Sequence, residues 1–79
     1  MQQKVEVTLK WFNLKSNYFK ERTGLFIGHM QIGEFYLNHE DKWVVIVNGK
    51  EFGRYQLIGR QAAAIILLTA AKQLLKIEE

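Results

Sequence analysis

The sequence predicts an α+β domain: an antiparallel β-meander of four to five strands with one C-terminal helix packed on one face. Three observations carry this. Residues 43–55 hold two strand-like runs around Asn48-Gly49. Asn-Gly between β-branched and aromatic runs marks a tight hairpin, because a type I′ turn needs positive φ at both central residues. Residues 4–12 alternate, with Val5, Val7, Leu9 and Trp11 on one side and Lys4, Glu6, Thr8, Lys10 and Phe12 on the other. A period of two marks a half-buried strand. Residues 59–77 are rich in Ala, Leu, Lys and Gln, which favour helix. Strands followed by a helix give the fold class.

The hairpin sets a register. A two-residue turn places Val47 opposite Lys50, Ile46 opposite Glu51, Val45 opposite Phe52, Val44 opposite Gly53 and Trp43 opposite Arg54. The preceding strand, residues 34–38, joins through His39-Glu40-Asp41-Lys42. A four-residue loop pairs Asn38 with Trp43, Leu37 with Val44 and Phe35 with Ile46. One face then reads Phe35, Leu37, Val44, Ile46, Gly53 and Tyr55, with Glu51 at its turn end, and has the look of a core. The other reads Glu34, Tyr36, Asn38, Trp43, Val45, Val47, Lys50, Phe52 and Arg54. A slip of one residue would exchange the faces.

Residues 13–23 are polar and basic and read as a loop. Residues 24–33 are bracketed by Gly28 and Gly33 and read as a second hairpin in preference to one bent strand. On the helix, Ala63, Ile66, Leu67, Ala70, Leu74 and Ile77 form an apolar stripe. The small alanines allow close approach to the sheet, and Gly53 offers a matching gap. Ile65 and Leu68 fall outside the stripe.

With 79 residues the chain makes one domain, residues 1–79. Such a chain buries only about 60% of its unfolded surface, so its core is small. There is no cysteine, hence no disulfide or thiolate metal site, and no proline. The longest apolar stretch, residues 62–71, is too short to span a bilayer. No signal-peptide pattern is seen at the N-terminus, and the expectation is a cytoplasmic protein with no membrane role. Net charge is +3, and residues 4–22 carry five cations against two carboxylates. That asymmetry leans toward an anionic partner.

The ring-rich face is the leading site. Tyr36, Trp43 and Phe52 on adjacent strands could stack on bases, while Lys50 and Arg54 meet phosphates. Lys15, Lys20 and Arg22 in the basic loop would add backbone contacts. Lys4, Lys10 and Phe12 extend the surface if the first strand joins the same sheet. The competing account covers these rings with the first strand, the loop or a second subunit. Gly59 and Arg60 form an anion-binding candidate at the helix start, where free N–H groups suit phosphate. His29 and His39 lack a metal-binding pattern. Asp41 is the one aspartate, and nothing sets Ser16 beside it and a histidine as a triad needs. The expectation is a binding protein without cofactor or metal, and not an enzyme.

Residues 42–46 (Lys-Trp-Val-Val-Ile), 51–55 (Glu-Phe-Gly-Arg-Tyr) and the Ala-rich helix resemble DNA readers built from a three-stranded sheet and a helix. The plant ethylene-response DNA-binding domain and the arm-binding domain of phage integrases are two such. The resemblance implies a sheet that enters the major groove with the helix packed behind it. It implies no individual site residue.

The expected function is therefore DNA or RNA binding through the aromatic and basic sheet face. The alternative is an interaction module or small inhibitor that seats a partner protein on that face. Surplus apolar surface adds a homodimer, with Ile65 and Leu68 at its interface.

Overall fold

The structure, a computed structural model, describes residues 8–14, 21–56 and 58–76. Five strands form one antiparallel sheet in sequence order: β1 (Leu9–Asn13), β2 (Glu21–Ile27), β3 (Met30–Leu37), β4 (Trp43–Val47) and β5 (Lys50–Tyr55). The helix α1 (Arg60–Leu75) follows and packs on β3 and β4. The architecture is the expected α+β meander.

Both tight hairpins form. Asn48 and Gly49 have φ of 52° and 79°, as a type I′ turn requires. Gly28 has φ 59° and opens a two-residue turn that pairs Ile27 with Met30. A glycine in the first central position suits a II′ turn. Residues 24–33 are thus a hairpin, although Gly33 lies inside β3 and not at its end. The loop after β1 is shorter than expected. Leu14 N–H donates to Arg22 O at 2.8 Å, and Arg22 and Thr23 already belong to β2.

The β3–β4 register differs by one residue from the expected one. Leu37 lies opposite Trp43, Tyr36 opposite Val44 and Phe35 opposite Val45. Asn38 leaves the strand to organise the loop. Its Oδ1 accepts from the N–H groups of Glu40 and Lys42, both at 2.9 Å, while its own N–H donates to Lys42 O at 2.9 Å. Asp41 takes the left-handed conformation, φ 58°. The connection therefore spends five residues, not four. A second departure follows in β5, where the register shifts so that Gly53 faces Val45, Arg54 faces Val44 and Tyr55 faces Trp43. Phe52 is the extra residue of this bulge.

Two register changes together exchange the faces of β4. Trp43, Val45 and Val47 turn toward the helix, joined by Phe35 and Leu25 and by Leu67, Ala63, Ala70 and Ala71 of α1. Val44 and Ile46 turn away. The run 43–47 is apolar on both sides, so alternation alone does not choose between them.

The helix also sits rotated from expectation. Ala71 is buried, whereas Leu74 of the expected stripe is 60% exposed. Ile77 lies outside the described residues. Leu68, expected to lack a home, packs partly buried against the core, while Ile65 remains exposed. Gly59 is the N-cap with no side-chain cap, and Lys76 closes the helix in the left-handed conformation, donating its N–H to Lys72 O.

The gap that receives the helix is at Gly33 and not at Gly53. A Cβ on Gly33 would lie 2.6 Å from Leu67 Cδ1 and 3.0 Å from Ile46 O. The space over Gly53 is taken by Tyr55, whose hydroxyl would lie 2.6 Å from a Cβ there.

Gly33→Ala should therefore destabilise by about 1–3 kcal/mol through overpacking, and Leu67→Ala by about 2–5 kcal/mol through its cavity. The double variant should lose less than the sum, because a shortened residue 67 relieves the clash at 33. Urea midpoints of the four proteins check this; strict additivity would place the helix elsewhere.

Candidate nucleic-acid interface

Strand side chains alternate and α1 covers one face, so the other is free of the helix; Val44 at its centre is nonetheless buried and Tyr36 half-buried. The registers order that open face into rows. One row runs Arg22, Tyr36, Val44, Arg54 across β2 to β5. The next runs Phe12, Gly24, Glu34, Ile46, Glu51 from β1 to β5. A third holds Lys10, Phe26 and Gln31. With strands about 4.8 Å apart, the first row spans roughly 14 Å.

The two arginines are held by the carboxylates of the neighbouring row. Arg22 Nε donates to Glu34 Oε2, and Arg54 Nε donates to Glu51 Oε1 at 2.9 Å. Each hydrogen bond raises the pKa of its guanidinium, and Tyr36 acts electrostatically on both. Tyr36 thus lies between two arginines in the centre of the face. Both cations stay charged at any physiological pH. The described face carries Lys10, Arg22 and Arg54 against Glu34 and Glu51, so it is only mildly basic.

The rings at the other end pack together. Phe12 and Phe26 meet edge to face, centroids 5.2 Å apart at 89°. Gly24 makes room for them: a Cβ there would lie 2.7 Å from Phe26 Cε1 and 3.0 Å from Leu14 Cδ1. Phe12 is half exposed.

The expected site is therefore divided. Tyr36 and Arg54 lie in one row, and Arg22 joins them from a strand and not from a loop. Trp43 does not belong to this face. It is buried in the helix-side core, stacks at a tilt on Phe35 with centroids 5.7 Å apart, and donates Nε1–H to Ile58 O at 3.0 Å. Phe52, 45% exposed, borders a cleft of about 230 Å³ with Lys50, Val47, Leu74 and Leu75 on the helix side. The β5 bulge puts it there. Lys15 and Lys20 lie outside the described residues. Phe26 was missed in the sequence, since its facing depends on the bulge between Leu25 and Phe26. The hairpin signal at Gly28 was the available clue.

Arg60 lies on the helix side, away from this face. Its Nη2 donates to Asn13 Oδ1 at 3.0 Å and to Thr23 Oγ1 at 3.3 Å. His29 and His39 are exposed, and no group of three or more His, Cys, Asp or Glu among the described residues could hold a metal. No helix among them is long and apolar enough to cross a membrane.

No family model, curated protein or solved structure matches the chain. β3, β4 and β5 are consecutive antiparallel strands, and α1 packs on one side of the sheet. Two further strands, β1 and β2, extend this sheet.

The two ion pairs should differ in their effect on stability. Glu34 is only 14% exposed, whereas Arg54 and Glu51 are both half exposed. Arg22→Ala leaves a carboxylate without its partner in a partly dry place. It should lower the urea midpoint measurably, and Arg54→Ala should leave the midpoint close to wild type. Equal losses would contradict this ranking.

Proposed function

We propose that the chain is a nucleic-acid-binding protein that uses the open sheet face, with single strands as its preferred form. The observation that carries this reading is the row Arg22–Tyr36–Val44–Arg54, which sets a ring between two arginines on the face opposite the helix. A base can stack on Tyr36, and flanking phosphates can meet the arginines. Each guanidinium uses its Nε for a glutamate, and its terminal nitrogens carry the other four N–H donors. Phe12, Phe26 and Lys10 lengthen the track toward β1. The glutamates limit affinity, and they favour positioning over strong bulk attraction. In this reading the protein binds and does not catalyse, and it acts in the cytoplasm.

A second reading, a protein-interaction module or homodimer, draws on Phe52 and Leu74. Both are exposed apolar side chains on one cleft between the β4–β5 hairpin and the end of α1. Ile65, 64% exposed, stands on the outer side of the helix near Gln61 and Thr69, as a single surface isoleucine does. If copies associate through the cleft, Leu74→Lys abolishes the dimer in sedimentation and Ile65→Lys preserves it. A monomer at all concentrations would remove this reading.

The nucleic-acid reading is tested by anisotropy of labelled single-stranded DNA, RNA and duplex oligonucleotides. Labelled ligand is needed because Trp11 and Trp43 both lie on the helix side and report poorly on the open face. Tyr36→Ala should weaken binding about tenfold, in line with stacking of ~1–3 kcal/mol per base. Arg54→Ala should weaken it and reduce the salt slope by about one. Absence of binding to all three ligands at about 50 mM salt would end the proposal.

A further inference from the structure

The sheet has two outer strands, β1 and β5. A bare strand edge offers N–H and C=O groups to another chain, and bulges and charges blunt such edges. β5 has both devices. Phe52 bulges out of its ladder, and Lys50, Glu51 and Arg54 stand along it, the last two paired at 2.9 Å. β1 differs. Its register with β2 is unbroken from Leu9 to Asn13, and Lys10 is its one charged residue. Lys10, Trp11, Phe12 and Asn13 are all exposed. Among the described elements β1 packs mainly on β2.

One hydrogen bond fixes which groups face outward. Leu14 N–H donates to Arg22 O, and the β1–β2 register carries on to set Leu14 against Arg22. Hydrogen-bonded and non-hydrogen-bonded pairs alternate in an antiparallel ladder. Phe12 and Lys10 therefore bond to β2, and the backbone groups of Leu9, Trp11 and Asn13 point to the free side. Two copies of β1 laid antiparallel about Trp11 join all of these. Trp11 meets the second copy's Trp11, and Leu9 meets its Asn13.

The side chains suit that register. On the open face Lys10 lies opposite the second copy's Phe12, and Phe12 opposite its Lys10, which makes two cation–π pairs. On the helix side the two Trp11 rings meet. An axis at Lys10 would set lysine against lysine. An axis at Phe12 would set Leu9 against residue 15, beyond the end of β1. The helices do not obstruct the pairing. α1 packs on β3 and β4, and with strands about 4.8 Å apart β3 lies roughly 12 Å from the axis.

We infer that β1 pairs with β1 of a second copy, antiparallel about Trp11, and joins two five-stranded sheets into one. The pairing forms without nucleic acid. Its consequence for binding rests on the nucleic-acid reading: the open faces of two copies become continuous, with Lys10 and Phe12 of both at the centre.

The chain has no cysteine, so single cysteines report the register. Across a hydrogen-bonded antiparallel pair the Cα atoms lie about 5.5 Å apart, within disulfide reach. Sedimentation of the full chain without oligonucleotide should show a monomer–dimer equilibrium, and Leu74→Lys should leave it unchanged. In a glutathione buffer, Trp11→Cys should form a covalent dimer about tenfold or more faster than Phe52→Cys on the opposite edge, because pairing raises the local thiol concentration. An equimolar mixture of Lys10→Cys and Phe12→Cys, both at exposed positions, should cross-link between the variants in preference to within either. This mixture decides the register if Trp11→Cys weakens the dimer by losing its ring. A monomer at every concentration would overturn the inference, as would a dimer dissolved by Leu74→Lys, which puts the contact in the cleft. Cross-linking in the mixture without that preference would also overturn it. A failed oligonucleotide titration leaves all of these results untouched.

Discussion

The seating of Leu67 over Gly33 is the contact on which the rest depends. A strand without a side chain at that point lets α1 approach β3 and β4 closely enough for Ala63, Ala70 and Ala71 to be buried. Small residues on the helix and glycine on the strand are complementary, and either alone would leave a void or a clash. With the helix fixed there, Phe35, Val45, Val47 and Trp43 form one core with it, and Trp43 gains a partner for its indole N–H in Ile58 O. Everything on the reverse of β3 and β4 is then left outside the helix-side core.

The division has a chemical consequence. The open face contains glutamate–arginine pairs across adjacent rows, with Tyr36 in the middle and Val44 buried beneath its neighbours. The helix face contains one arginine held by neutral oxygens beside a tryptophan. Among the described residues, the arginines of one face pair with glutamates and Arg60 on the other with neutral oxygens.

Much of the fold was legible in the residues. Asn48-Gly49 and the Ala-rich run carry local signals that tertiary context does not overrule, and β1 alternates visibly at Leu9, Trp11 and Lys10, Phe12. The candidate site was less legible, for a definite reason. Face assignment depends on register, and register here turns on Asn38 leaving its strand and Phe52 bulging in β5. Neither is encoded by hydrophobic period, since 43–47 is apolar at every position. One residue of slip moved Trp43 from the proposed binding surface into the core while leaving Tyr36 and Arg54 in place. The gap for the helix was likewise assigned to Gly53, because which glycine lies under Leu67 depends on the same registers.

The most direct test is to ask which face of the sheet a single-stranded oligonucleotide touches. Backbone amides serve both faces, so side-chain signals must be followed. Methyl resonances of Ile46 on the open face and of Leu67 and Val47 on the helix face distinguish them, together with the ring of Tyr36. The account predicts shifts at Tyr36 and Ile46 on titration, with Leu67 and Val47 unmoved. Shifts centred on Leu67, Val47 or Trp11, with Tyr36 and Ile46 silent, would contradict it.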